Sequence, residues 1–210
     1  MKIFGVVATL LLLASLASAG SVSATGEGWC NQGGGCNNTS TSFITNTFAG
    51  NSFGTYYNDF VALTLPSSHI SSATISIWND GEDFNLNSAA VYNLYAASSI
   101  SYGGLATGPS LGSISVSAAD TGISEYITIT LNAAGLAALN AHLGSTFVFG
   151  GAVSGLIPSL ETEIFGYTNG VPIAFLTYNT AAVTPEPASL LMLGSGLVGM
   201  ASLLRRKLLL

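Results

Sequence analysis

Several acidic residues of this chain could take part in chemistry, because carboxylates bind hard cations and act as acids or bases. Asp80, Glu82 and Asp83 form the densest acidic cluster. Oxygen ligands on one loop suit Ca²⁺, so these three are candidate cation ligands. Their spacing fits no EF-hand, and a solvated turn is the alternative. Glu161 and Glu163 would share one face of a strand, as the carboxylates of a retaining glycosidase could, but we expect them to face solvent.

A second motif suggests nucleophilic catalysis. Residues 108–112 match the G-x-S-x-G elbow around Ser110, and Asp120 and His142 follow in the order that α/β-hydrolases use. An elbow lies between a strand and a helix, whereas here a predicted strand follows. The other histidine, His69, has no positioned partner in its loop. We therefore predict no catalytic residue and no enzyme, with a hydrolase as the remote alternative.

Six aromatic residues could include a sugar-binding platform, because flat rings stack on the apolar faces of sugars. Two of them, Trp78 and Tyr126, fall on the polar-facing register of their predicted strands, which favours exposure. Packing in the core or at its rim is the alternative for the whole set. The six are Trp78, Tyr92, Tyr95, Tyr102, Tyr126 and Tyr167.

The N-terminus has the three parts of a secretory signal peptide. Lys2 precedes an apolar run over residues 3–16, and Ala17-Ser18-Ala19 supplies small residues at a cleavage site. Cleavage after Ala19 is the first choice, and cleavage after Ala24 is the second. The chain is therefore predicted to be exported.

The C-terminus reads as a second targeting segment. Pro185-Glu186-Pro187 predicts an extended hinge, since prolines two apart continue neither a helix nor a strand. Residues 188–204 then form an apolar run of 17 residues, and the cations Arg205, Arg206 and Lys207 follow it. As a helix this run is roughly 26 Å long, enough to cross a thin bilayer, and the basic tail 205–210 would stay cytoplasmic.

This tail resembles the sorting signal of the PEP-CTERM proteins, which Gram-negative bacteria that make exopolysaccharide export. The resemblance rests on Pro185-Glu186-Pro187, on the Gly-rich apolar run and on the cations behind it. It implies that a membrane protease, exosortase, recognises the tail and processes the protein near Glu186. An ordinary C-terminal membrane anchor is the alternative. The resemblance implies that the protein is sorted to the cell envelope or its matrix.

The charge distribution excludes one class of partner. All four basic residues lie in the predicted targeting segments, at Lys2, Arg205, Arg206 and Lys207. The body between them holds nine of the ten acidic residues and has a formal charge of −9. A body with no Lys or Arg cannot neutralise phosphates, so we expect no binding of nucleic acid.

Two cysteines in this body bracket a Gly-rich loop. Cys30 and Cys36 enclose Asn31-Gln32-Gly33-Gly34-Gly35. Exported compartments are oxidising and the glycines let the loop close, so we predict a local disulfide. Zinc is disfavoured, because two thiols without a nearby histidine are too few ligands.

Alternating apolar and polar residues over short runs predict an all-β body. In the first run Asp59, Val61 and Leu63 fall on one face, and Pro66 ends the run. One helix is predicted at residues 133–143, with Asn132 as N-cap and Gly144 after its end. The predicted strands are 59–65, 73–78, 91–96, 114–117, 127–131, 147–153, 164–167 and 171–178.

The predicted organisation has one folded domain, a β-sandwich over residues 43–181. It follows the signal peptide 1–19 and a Gly/Asn/Ser-rich segment 20–42, and it precedes the hinge 182–187. The strand sequences resemble the jelly-roll domains of anchored bacterial proteins, which are similar in architecture to carbohydrate-binding modules. We expect a non-enzymatic surface protein associated with exopolysaccharide. The alternative is a carbohydrate-binding module, either Ca²⁺-dependent or without a cofactor.

Overall fold

The computed structural model describes residues 18–38, 44–79, 85–86, 89–117, 124–169, 174–180, 194–201 and 205. Residues Ala19–Thr180 form one compact unit. Its helices are a 3-10 turn at Gly104–Ala106 and α1 at Ala133–Asn140. Its strands are β1 (Ala19–Asn31), β2 (Cys36–Asn38), β3 (Ile44–Ser52), β4 (Thr55–Thr64), β5 (Ile70–Asn79), β6 (Asn85–Leu86), β7 (Ala90–Ala96), β8 (Gly112–Val116), β9 (Glu125–Thr130), β10 (Thr146–Ser154), β11 (Thr162–Asn169) and β12 (Ala174–Thr180).

Strand β1 joins two groups of strands into one continuous antiparallel ladder. Its first part pairs with β12, from Ala19 opposite Asn179 to Ser23 opposite Phe175. Its second part pairs with β4, and the register shifts between Ala24 and Gly26. The strand therefore leaves one group and enters the other at this irregularity, as strands do at β-bulges.

The first group continues from β12 to β5 and β9. In the second group β4 pairs with β10, which pairs with β7, and β7 pairs with β8. Strand β3 leaves its hairpin with β4 to pair with β11, and β11 pairs with the short β6. All these ladders are antiparallel, so the prediction of an all-β body is confirmed.

One hydrophobic core lies between the two groups. Ile75 and Ile77 of β5 and Leu176 of β12 pack in the same cluster as Val61 and Leu63 of β4. The members alternate along their strands, as the two-residue period of a strand requires. Burial of apolar surface at about 25 cal/mol per Å² is the main stabilising term for such a core.

Helix α1 is attached to the start of β5 by side-chain hydrogen bonds. The predicted N-cap is confirmed, because Asn132 Oδ1 accepts from the Gly135 amide at 2.9 Å. At the other end Asn140 contacts both backbone polar groups of Ile70: its Oδ1 accepts from the amide at 2.9 Å and its Nδ2 donates to the carbonyl at 2.8 Å. Leu139 is fully buried beneath the helix.

Two predictions from the sequence differ from the structure. The helix ends at Asn140, not at residue 143, because the Asn140 side chain pairs with β5 and the chain then turns to Gly144 at φ +71°. The predicted strands start at residue 59, whereas the structure has β2, β3 and, before them, β1, the longest of the described strands. Its Gly, Ser, Ala and Thr residues conceal the alternation, since small side chains carry little hydrophobic signal.

The predicted disulfide between Cys30 and Cys36 is confirmed. The two residues lie directly opposite each other in the β1–β2 hairpin, with Cα atoms 4.0 Å apart. Cys30 is buried against Phe60 and Leu105 in a second, smaller cluster on the outer side of β4. The bridge therefore also fixes the hairpin to this cluster.

Removing the bridge should weaken the fold only modestly, because the loop that it closes is short. For the double variant Cys30→Ser/Cys36→Ser we expect the free energy of unfolding to fall by ~2 kcal/mol. Urea unfolding of both proteins measures this difference. Mass spectrometry of the denatured wild type should find no free thiol, and two free thiols or a disulfide-linked dimer would contradict the local bridge.

Candidate functional site

The residues of the G-x-S-x-G motif bond to nearby backbone. The Ser110 hydroxyl donates to the Gly112 carbonyl at 2.9 Å, and His142 Nδ1 lies 2.9 Å from the Ala138 carbonyl. Strand β8 begins at Gly112, so a strand follows the motif where an elbow requires a helix. Asp120 lies outside the described residues.

The predicted cation ligands Asp80, Glu82 and Asp83 lie outside the described residues, so this site stays a prediction. Glu161 and Glu163 flank the buried Thr162 and are themselves half-exposed. Among the described residues no three His, Cys, Asp or Glu side chains come together as a metal site.

Two of the predicted aromatic residues do come together on the outer face of β5, β9 and β12. Trp78 lies opposite Tyr126 in the ladder, and their rings meet edge to face at 5.0 Å. Phe175 extends this contact, with its ring also 5.0 Å from that of Tyr126. All three side chains are half-buried. We call Trp78, Tyr126 and Phe175 the aromatic trio.

The other aromatic candidates have different surroundings. Tyr92 is buried in the main core at 1% exposure, so it cannot stack on a ligand. Tyr102 packs against the smaller cluster around Cys30. Tyr95 is half-buried on β7. The side chain of Tyr167 lies outside the described residues. Phe175 was missed, although it alternates with the buried Ala174 and Leu176 on β12.

One pair of uncharged hydroxyl groups shares this outer face with the aromatic trio. Ser76 Oγ and Thr128 Oγ1 lie 2.8 Å apart across β5 and β9 on this outer face. A shallow cleft between β8 and β9 adjoins Tyr126, and Ser115 and Glu125 also line it. Rings beside hydroxyl groups offer a sugar ring both stacking and hydrogen bonds.

A second polar site, which the sequence analysis missed, lies inside the core. Asp59 is completely buried, and its Oδ1 accepts a hydrogen bond of 2.8 Å from the Tyr92 hydroxyl. Tyr92 in turn meets Phe165 edge to face at 4.9 Å. Gly151 makes the contact possible, because a Cβ at that position would lie 1.9 Å from the Tyr92 hydroxyl oxygen.

Glu27 is the second buried carboxyl of this site, at 1% exposure. It lies opposite Val61 in the ladder, so it and Asp59 are diagonal neighbours, with Cα atoms about 7–8 Å apart. Neither oxygen of Glu27 has a hydrogen-bond partner, and neither Asp59 Oδ2 nor Thr47 Oγ1 has one. We call Glu27, Thr47, Asp59 and Tyr92 the buried acid cluster.

Burial dominates the electrostatics of both carboxyl groups. It raises the pKa of Glu27 to about 8; the nearby Thr47 hydroxyl lowers it in part and the Asp59 charge raises it further. Burial likewise raises the pKa of Asp59 to about 7, against the lowering effect of the Tyr92 hydroxyl. Part of this site was visible in the sequence, because Asp59 shares the register of Val61 and Leu63. Glu27 gave no such signal.

The C-terminal segment carries the motif that decides the family comparison. Residues 194–201 and Arg205 are helical, and Pro185, Glu186 and Pro187 lie outside the described residues, as do Arg206 and Lys207. Residues 183–207 match the PEP-CTERM protein-sorting motif. No curated protein matches the chain.

The PEP-CTERM motif begins immediately after the folded body, since β12 ends at Thr180 and the match starts at residue 183. The motif implies export and sorting to the envelope, with exosortase-type processing. No helix among the described residues is long and apolar enough to cross a membrane.

The buried acid cluster should make the fold less stable as the pH rises. Glu27 and Asp59 hold their protons up to pKa values of about 8 and about 7, whereas their ordinary values are 4.5 and 3.8. In metal-free buffer the folded state therefore binds more protons than the unfolded state between about pH 4 and pH 8. Stability is full below this window and falls through it, by up to about 1.4 kcal/mol per pH unit for each group.

Urea unfolding of the metal-free protein from pH 4 to pH 9 measures this slope. In Glu27→Gln/Asp59→Asn the slope should flatten, because neither side chain titrates. Glu125→Gln, which changes an exposed acid on β9, should leave it as in the wild type. A wild-type stability that rises across the window would contradict the burial of these two acids.

Proposed function

We propose that the protein is an exported, non-enzymatic surface component that its C-terminal motif sorts to the cell envelope or to an exopolysaccharide matrix. The match of residues 183–207 to the PEP-CTERM sorting motif carries this proposal. Two further features support it. The Cys30–Cys36 disulfide suits an oxidising compartment, and a body without Lys or Arg suits a surface role rather than nucleic-acid binding.

The proposed sorting route has three steps. A signal peptidase removes residues 1–19, and the body crosses the membrane. The apolar segment 188–204 then spans the inner membrane as a helix, with Arg205, Arg206 and Lys207 on the cytoplasmic side. An exosortase-type protease recognises Pro185-Glu186-Pro187 and releases the body.

Replacing the three motif residues should separate export from processing. In Pro185→Ala/Glu186→Ala/Pro187→Ala we expect signal-peptide removal as in the wild type but retention of the C-terminal segment. Trypsin digestion detects the retained C-terminal segment directly, because residues 20–184 contain no Lys or Arg and resist cleavage even when unfolded. The intact mass of denatured surface protein, measured before and after trypsin, should stay constant for the wild type and fall for the variant.

A matched control is Pro109→Ala, which changes a proline of the folded body. It should give the same trypsin-resistant mass as the wild type. A wild-type surface protein that loses the residues after Arg205 on trypsin treatment would show that the C-terminal segment had not been removed. If instead the triple variant matures to the wild-type mass, Pro185-Glu186-Pro187 is not needed for processing and the proposed recognition of this motif is wrong.

The aromatic trio favours a second candidate function, a carbohydrate-binding module. Both strand groups contribute to one core, which supports a β-sandwich of the jelly-roll kind. Three rings and the hydroxyl pair of Ser76 and Thr128 lie on one outer face of it. Since the body has acidic residues and no Lys or Arg, neutral or cationic glycans fit it better than uronic-acid polymers.

Removing rings of the trio should weaken glycan binding. For Trp78→Ala and for Tyr126→Ala we expect affinity for a neutral polysaccharide to fall about tenfold each, because a stacked ring contributes about 1.4 kcal/mol. Affinity electrophoresis in gels that contain the polysaccharide measures the change. Phe53→Ala is the matched control, since Phe53 is 91% exposed at the β3–β4 turn. Equal retardation of all four proteins would exclude the trio as a binding site.

A further inference from the structure

The buried acid cluster has no internal source of positive charge. The chain contains no Lys or Arg between residues 3 and 204, and both histidines, His69 and His142, are exposed. Glu27 and Asp59 are nevertheless almost completely buried. Burying an ionised carboxylate is costly unless a cation or hydrogen-bond donors neutralise it, so the charge of this site must be balanced from outside the chain.

The oxygens of the cluster are also short of partners. Glu27 Oε1, Glu27 Oε2, Asp59 Oδ2 and Thr47 Oγ1 are all buried, and none has a partner at hydrogen-bond distance and angle, although the Thr47 hydroxyl is near enough to Glu27 to lower its pKa. The one satisfied carboxylate oxygen is Asp59 Oδ1, which Tyr92 orients from the other side. Native proteins rarely leave so many buried polar atoms unpaired at one place, and a bound ion is one of the ordinary explanations.

From this geometry we propose that the buried acid cluster is a binding site for a divalent cation of the Ca²⁺ type. Two carboxylates balance a charge of +2, and the open positions are all oxygens, which are the ligands of a hard cation. Zinc fits poorly, because both cysteines are in the disulfide and no histidine is buried with the acids. The cation would be held by Glu27, Asp59 and Thr47.

The backbone places this site at a break in the sheet. Pairing of β1 with β12 ends at Ser23, pairing with β2 begins at Gly28, and the register against β4 shifts between Ala24 and Gly26. Glu27 therefore enters the core just beyond an irregular stretch, where side chains are commonly re-aimed toward functional sites. A cation bound here would connect β1 to β3 and β4, the strands that carry its ligands.

The test adds CaCl₂ to the exported protein after treatment with a chelator, and follows thermal unfolding. We expect one Ca²⁺ per chain by metal analysis. The unfolding midpoint should rise by about 5–10 °C when Ca²⁺ is 100-fold above its Kd, because only the folded state binds the ion. MgCl₂ should give a smaller rise, since Mg²⁺ requires a stricter geometry.

Four variants locate the site. Glu27→Gln should abolish the Ca²⁺-dependent rise, and Thr47→Val, which keeps the side-chain volume, should reduce it while the fold is retained. Glu125→Gln should respond as the wild type. The proposal is overturned if the wild type binds no Ca²⁺, which would leave protons as the neutralising partner. It is also overturned if Glu27→Gln keeps the rise and the loop variant Asp80→Asn/Glu82→Gln/Asp83→Asn loses it.

Discussion

Backbone pairing along β1 is the interaction on which the rest of the body depends. Its first part closes against β12 and its second part against β4, so the two strand groups share one ladder. Without this strand β12 and β4 would each present an open edge, and the core between the groups would lose one side. The same pairing puts Ala19 opposite Asn179, so the two ends of the folded body are adjacent.

The absence of Lys and Arg from the body is the second constraint. Salt bridges are unavailable, so packing, ladder hydrogen bonds and short polar side chains must hold the fold together. Asn140 is an example of such a short polar side chain. It forms hydrogen bonds with both the amide and the carbonyl of Ile70, as a neighbouring strand would. The cost of the same constraint appears at Glu27 and Asp59, where two buried carboxyl groups have no basic partner. A proton or an external cation must neutralise these groups. The stability of the fold therefore depends on the pH and on the cation concentration of the solution.

Much of the fold could be predicted because its strands have clear alternation. Ile75, Ile77, Ile127 and Ile129 lie inward as their spacing indicates, and Asn132 begins the helix as an N-cap residue should. Strand β1 could not be found this way, since its small residues give almost no contrast between its faces. The sites were harder still. Trp78 and Tyr126 could be placed on the outer face by register, but their approach to Phe175 depends on strand order, which the sequence does not show. Glu27 and Asp59 meet only through the pairing of β1 with β4.

The distribution of basic residues also connects the body to its sorting motif. The orientation of membrane segments follows the Lys and Arg content of the flanking chain, which tends to remain cytoplasmic. A body with none of these residues does not oppose its own translocation, although it has nine acids, because acidic residues contribute little to orientation. After Lys2 the first basic residues are Arg205, Arg206 and Lys207, at the end of the PEP-CTERM match. The composition that leaves the two buried carboxyl groups without a basic partner thus also confines the cations after Lys2 to the end of the PEP-CTERM match.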